Sequence, residues 1–368
     1  AMRFIDYVID ETSLKGNVRI VRFRNENMDI NKVGIGTRVA VPKNEARDPG
    51  VRRGVTMSKI TLTPSALMVP FEITEEFKEL NLEGDNFEDH AIRMFATQFA
   101  NDMEELYING DKNGPAVLES DIIDNGSSTQ YINDSFLALQ DGWSLLADSG
   151  NVYDADATNI GFSVFSNAIK SMPTKFRRNK KMLRWFMSPD LVQTYAEKMT
   201  TRATDAGDAA GSGAVMNPFG IQIVEVPLWD FNAKVVEHVT LNGTTAVSLK
   251  HKNITSVIVL PETLADTPTT PYVVTTDYTL DATAGTIARA GGGSIGDGDT
   301  VKVTYLAAPQ MLLTHMQNFI VAIGRDIRIE RDRDIYKSVD QYAITAKVGC
   351  GIEESTAIVK IKNIGEGV

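Results

Sequence analysis

Residues Gly291 to Gly296, GGGSIG, carry two spacings that could serve chemistry. They fit G-x-G-x-x-G, the turn that lets a backbone approach a dinucleotide pyrophosphate. From Gly292 they also fit G-x-S-x-G, the elbow that presents a nucleophilic serine, here Ser294. Both need a strand entering and a helix leaving, because helix amides hold the phosphate or seat the serine above a sheet. What leaves is Asp297-Gly298-Asp299 and then TVKVTY, which alternates with period two and predicts a strand. What enters is DYTLDATAGTIARA, strand-like on both sides of a turn at Ala284-Gly285. The glycines are therefore expected in a loop between antiparallel strands, where neither chemistry works.

The remaining candidates are as sparse. His90, His238, His251 and His315 have no His, Cys or carboxylate at metal-ligand spacing, and neither H-E-x-x-H nor C-x-x-C occurs. Asp154 and Asp156 begin like a calcium loop, but Asn159 stands where glycine is required and Phe165 where glutamate is required. There is no phosphate loop. The lone Cys350 suits a small core residue in a reducing compartment. No nucleophile, base and oxyanion donors come together, so no enzyme, catalytic residue, cofactor or metal site is expected. The densest basic run is Lys175, Arg177, Arg178, Lys180 and Lys181. It is either a solvated turn or a contact with an acidic neighbour or with nucleic acid held by charge alone.

Composition supports an ordinary globular protein of 368 residues, enough for two or three domains. No apolar run approaches the roughly 20 residues of a membrane-spanning helix, and the acids of the leading segment argue against a signal peptide. Net charge is −11, yet residues 1–59 hold twelve Lys/Arg against seven Asp/Glu. A basic limb on an acidic body suits either nucleic acid or an acidic neighbour of the same kind.

Residues 1–31 lack helical periodicity and predict an extended arm. Thr37 to Ile73 predicts one long hairpin with limbs TRVAVP and VTMSKITLTPSALMVPFEI and a turn-rich basic tip. Such a ribbon has too few neighbours of its own to bury both faces. Asp85-Asn86-Phe87-Glu88 is a capping box, and apolar residues recur at helical spacing as far as Tyr107, predicting a helix over 86–108 closed by Asn109-Gly110. Residues 136–230 mix helices and strands, with a Gly/Ala-rich stretch near 200–216 expected to be mobile. Residues 234–308 predict short strands alone, and strand patterns of the earlier kind resume at Met311.

That order of elements resembles the major capsid protein of tailed bacteriophages, the HK97-like fold. The resemblance is carried by VPFEITEEFKELNLEGDNFEDHAIRMFATQFANDMEELYINGDKNG, by LRWFMSPDLVQTYAEKM followed by NPFGIQIVEVP, and by YAITAKVGCGIEESTAIVKIKN. Separately, DYTLDATAGTIARAGGGSIGDGDTVKVTY is similar to immunoglobulin-like modules of phage structural proteins. The resemblance implies an α+β fold with an N-terminal arm at 1–35, an extended E-loop hairpin at 36–73 and a peripheral domain at 74–135. It also implies an axial domain at 136–233, an inserted small all-β domain at 234–308, and a return to the peripheral domain at 311–368. It implies homo-pentamers and homo-hexamers of an icosahedral shell around double-stranded DNA, made in a bacterial host's cytoplasm and found in the virion. Portal, scaffolding, protease and decoration proteins would be partners, without a membrane. Arg19, Arg22, Arg24, Arg38, Lys43, Arg47, Arg52, Arg53 and Lys59 would contact neighbouring subunits. An encapsulin-type compartment, or a tail or surface-adhesion protein, are the alternatives.

Overall fold

The computed structural model describes residues 14, 16–22, 28–34, 40, 45, 54–76, 87–123, 126–201, 217–262, 268–365 and 367. The expected Asp85 cap, most of the hairpin tip and the Gly/Ala-rich stretch lie outside them. Helix α1 (Phe87–Asn109) has 23 residues, about 35 Å at 1.5 Å per residue. Phe99, Ala100, Met103, Leu106 and Tyr107 are buried, a spacing that places them along one helical face. The sequence predicts that Gly110 ends the helix through a left-handed backbone, but Gly110 has no positive φ. Its amide still bonds to Leu106 at 3.1 Å, and a Cβ there would stand 2.4 Å from the Gln140 carbonyl oxygen. Glycine is needed for close approach, since the amide of Gly142 donates to the Gly110 carbonyl at 2.7 Å.

The aromatic face of α1 covers a four-stranded sheet. Strand β1 (Arg19–Arg22) lies at one edge and β4 (Ser65–Thr74) at the other. Between them run β17 (Phe319–Asp334) and β18 (Val339–Ile352), in the order β1-β17-β18-β4. Phe71 on β4 stacks on Phe95 of the helix at 4.1 Å and on Tyr342 of β18 at 4.9 Å. The single expected hairpin is thus divided. Its return limb breaks after Leu62, and β4 pairs with β18 of the same chain over Ser65–Thr74. The paired ribbon is instead β2 (Met28–Gly34) with β3 (Thr56–Leu62), so its first limb begins inside the segment predicted as an arm.

A five-stranded sheet follows the order β7-β19-β16-β8-β9, with β7 at Asn151–Asp154, β8 at Leu183–Met187, β9 at Gln222–Glu225, β16 at Met311–His315 and β19 at Val359–Lys362. Helices α2 (Phe162–Ser171) and α3 (Pro189–Thr200) pack Phe165, Ile169, Leu191 and Tyr195 against Trp185, Leu313 and Ile361 on one face. Ser188 caps α3 by accepting from the Leu191 amide at 3.3 Å, with Pro189 in the first turn as the sequence predicts. Residues after 311 therefore serve both sheets, and no boundary at that point separates them. Trp143 ties the two together. It lies between Tyr107 and Phe319, 4.7 Å from the latter ring, and its Nε1 donates to the Gly351 carbonyl at 3.1 Å.

Between the two sheets in sequence, residues 234–306 form two three-stranded sheets. One has the order β10-β15-β12 (Lys234–Thr240, Thr300–Leu306, Thr255–Pro261). The other has the order β11-β14-β13 (Val247–Ser248, Thr286–Arg289, Tyr278–Asp281). Val239, Leu241, Val259, Ile287, Val301, Val303 and Tyr305 are buried between them. The opposite face of β15 is turned to the short pair β5 (Ala116–Leu118) and β6 (Tyr131–Asn133), where the Ala116 amide donates to Thr304 Oγ1 at 3.3 Å.

Candidate assembly surfaces

The β2–β3 ribbon leaves the body at one end. Near the body, Leu62 is buried with Ile320 and Ala322, and Ile30 and Ile60 pack beside them. On β3 beyond Ile60, Met57, Ser58 and Lys59 are exposed, Met57 by 79%, while Lys32 on β2 opposite Ser58 is half-buried. Asp29 accepts from Thr61 Oγ1 at 2.6 Å and from Lys59 Nζ at 3.2 Å. These two hydrogen bonds hold its carboxyl below the usual carboxylate range. Lys59, expected to meet a neighbour, therefore has its anion on the adjacent strand.

The leading segment is also tied to its own chain. β1 pairs in parallel with β17, Arg19 opposite Ile320 through Arg22 opposite Ile323. Arg19 reaches Glu353 at 3.0 Å, and Lys32 reaches Glu354 at 2.7 Å and the Glu353 carbonyl at 2.6 Å. Partial burial opposes the charge on Glu354. Hydrogen bonds from Lys32 and Thr356 outweigh it and hold that carboxyl below its ordinary value. Arg19 thus has an acid of its own chain within reach, in a pair that is exposed. Arg22 is exposed on the sheet edge. Arg24, Arg38, Lys43, Arg47, Arg52 and Arg53 lie outside the described residues.

The basic run occupies two single turns, Thr174–Arg177 and Lys180–Met182, between α2 and β8. Lys175 stands over the Phe176 ring at 4.5 Å, and Arg177 donates to Thr174 Oγ1 at 2.9 Å. Among the described residues none of Lys175, Arg177, Arg178, Lys180 and Lys181 forms an ion pair, and four of the five are exposed. Phe176 of the same segment lines a cleft of mixed charge with Arg19, Lys32, His315, Glu353 and Glu354.

Two further surfaces carry apolar side chains in water. At the turn joining β17 to β18, Ile335 is 78% exposed and Tyr336 fully so. Met68 on the outer face of β4 and Met94 on α1 are also exposed. No sequence pattern singled these out, because an isolated Ile-Tyr between charged residues has no periodicity.

The glycine-rich segment holds no chemistry. The Ser294 amide donates to Asp277 Oδ1 at 2.7 Å, and a Cβ on Gly293 would stand 2.4 Å from the Asp277 Cα. These glycines let the chain lie flat on Asp277. One correction is needed: β14 and β15 belong to different sheets, so the segment crosses between sheets and closes no hairpin between paired strands. His251 is buried against Tyr305, Nδ1 to hydroxyl at 2.9 Å, and that hydroxyl donates to Glu237. Cys350 has its Sγ 3.2 Å from the Asp141 carbonyl, with burial pushing the thiol's pKa up, as an inert core thiol requires. Asp154 takes a hydrogen bond from Asn363 at 3.0 Å and from the Asp156 amide at 2.9 Å. Among the described residues no group of three or more His, Cys, Asp or Glu could hold a metal ion, and no helix is long and apolar enough to cross a membrane.

A mixed α/β body with a projecting ribbon, a long helix laid across a sheet and returning strands shared by two sheets defines a phage-capsid fold. The chain resembles the major capsid proteins of tailed bacteriophages over its whole length. It is 24% identical over 368 residues, all of this chain and 91% of the other, to YqbE of Bacillus subtilis (strain 168), named as a prophage capsid protein. Its structure aligns with a chain of the satellite phage P4 procapsid containing size determination (Sid) protein, at TM-score 0.56 and 11% identity over 99% of this chain and 90% of that one. It aligns with the capsid of a native GTA particle at TM-score 0.52 and 12% identity, covering 96% and 91%. It aligns with the capsid of Myoviridae phage XM1 at TM-score 0.51 and 10% identity, covering 95% and 91%. No protein-family profile matches the chain.

Proposed function

We propose that this chain is the shell subunit of a tailed-phage head, its copies joining as pentamers and hexamers into a closed icosahedral particle around double-stranded DNA. In this reading the fold is HK97-like. Residues up to β1 form the arm, and the β2–β3 ribbon belongs to the extended loop, with β4 counted in the body sheet. Residues 74–135 with β17 and β18 form the peripheral domain, 136–233 with β16 and β19 the axial domain, and 234–308 an inserted β domain. Assembly takes place in the host bacterium's cytoplasm with portal and scaffolding proteins, and no enzymatic step is assigned to the chain.

The observation that carries the reading is the β2–β3 ribbon. Seven residue pairs form it; among the described residues Leu62 at its base is buried and Lys32 is held by Glu354, while Met57, Ser58 and Lys59 are exposed. A two-stranded ribbon alone is marginal in water, so an adjacent copy is its natural cover. Repeated head-to-tail contacts of this kind close into rings when the rotation permits. Electron microscopy of the purified chain tests the proposal. Closed shells of uniform diameter are expected; single molecules or open tubes at high concentration would overturn it.

A further inference from the structure

Lys302 is on β15, on the face turned away from the core between the two small sheets. It is 1% exposed, and none of its hydrogen-bond partners is a carboxylate. Its Nζ lies 2.8 Å from the Asn113 carbonyl and in contact with the Gly114 carbonyl and with Asn133 Oδ1 on β6. The Asn113 and Gly114 carbonyls belong to a tight turn that starts at Asp111. The Gly114 amide donates to the Asp111 carbonyl at 2.8 Å, and the Asn113 amide to Asp111 Oδ1 at 2.9 Å. Asp111 is itself 6% exposed, and its charge acts on Lys302. A buried amine and a carboxamide thus touch, and a buried carboxyl at the start of the turn that holds the amine acts on it by its charge. Ala116 and Leu260 cluster beside it with Tyr131 and Ile258, Leu260 as the register neighbour of Lys302 and Ala116 as that of Asn133.

We propose that Lys302 and Asn133 join in an intrachain amide bond, with Asp111 relaying protons and ammonia leaving. The neutral amine attacks Asn133 Cγ. The Nζ–Cγ bond forms and the Cγ–Nδ2 bond breaks. Asp111 gives its proton to the departing nitrogen and recovers one from Nζ, so an amine and a primary amide become a secondary amide and NH3. No oxidant, reductant or cofactor enters. Burial prepares both groups: it pushes the Lys302 ammonium down to about 8, and it raises the Asp111 carboxyl so that it keeps a proton more readily. Asn133 is half-buried at the rim, which leaves ammonia a way out while the apolar cover limits hydrolysis. The bond would close a loop across 169 positions of sequence and fasten residues 234–306 to the body of the subunit. This inference stands apart from the shell reading, since it concerns one chain whether or not it assembles.

Intact-mass measurement of the full chain is the test. A mass about 17 Da below that of the sequence is expected, the loss of one ammonia, with a tryptic peptide containing Lys302 joined to the one containing Asn133. Full sequence mass would overturn the proposal. So would a loss that maps to a ring-closed imide at Asn113-Gly114 or Asn242-Gly243 instead of to Lys302. Lys302→Met and Asn133→Ala are expected to restore the mass predicted from their sequences. Asp111→Asn, folded by circular dichroism, is expected to do the same; persistence of the link in it would overturn the relay role.

Discussion

Replacing His251 with Gln isolates the effect of one buried base. The Tyr305 hydroxyl spends its proton on Glu237, so His251 Nδ1 must donate to the Tyr305 oxygen, and Nε2 is left as a bare acceptor. Nε2 has no hydrogen-bond partner. Burial, followed by the charges of Lys360, Lys362 and Lys250, pushes the ring's pKa down from 6.5 to about 2. The sign follows from linkage. A base whose pKa is lowered on folding costs nothing while both states are neutral, above 6.5. Below that the unfolded chain takes up a proton that the folded chain refuses, and stability falls with pH. The slope is about 1.4 kcal/mol per pH unit, so about 2 kcal/mol is lost between pH 6.5 and about pH 5. Carboxylates held low in the fold, such as Asp29, Asp277 and Glu354, also weaken it as acid is added, but they do so equally in both proteins. Urea unfolding of wild type and His251→Gln at neutral pH and near pH 5 should therefore show wild type losing about 2 kcal/mol more than the variant. Equal losses would refute the reasoning.

Two further substitutions test the frame. Trp143→Phe removes the indole donor to the buried Gly351 carbonyl and opens space beside Phe319; a loss of about 2–3 kcal/mol is expected by denaturant unfolding. At Gly285, φ is +64 and a Cβ would stand 2.0 Å from the His251 carbonyl oxygen. Gly285→Ala is therefore expected to cost more than about 2 kcal/mol, while Gly243→Ala, also at positive φ but in open space, costs about 1 kcal/mol.

The helices and the central strands were legible because their signals are local. The stripe from Phe95 to Tyr107 and the Ser188-Pro189 start each specify a helix from neighbouring residues alone. The small β-rich stretch was legible for the same reason, through alternation and turns. Pairings were not. Nothing near Arg19 announces β17 some 300 positions away, and nothing in the return limb of the predicted hairpin shows that Leu62 ends one partnership and Ser65 begins another. Gly110 illustrates the limit: its type was noticed, but a close approach by residues 140–142 leaves no trace in the local sequence. The basic side chains were recognisable as a class, whereas their partners Glu353 and Glu354 depend on the docking of β1. Ile335, Tyr336 and the trio Lys302, Asn133 and Asp111 could be found only once the fold brought them to the surface or together.

The order of strands carries a consequence for synthesis. In the four-stranded sheet the two inner positions belong to β17 and β18, and in the five-stranded sheet β19 and β16 sit between β7 and β8. Apart from β8, the inner strands of both sheets are thus among the last to leave the ribosome. β1 and β4, although made first, have no partner in their sheet until residues beyond 319 have emerged. The early strands must wait with their edges open, a state in which sticking to other nascent chains competes with folding. Such long-range closure is slow, so translation speed and the supply of chaperones are expected to govern the yield of this protein more than its final stability does.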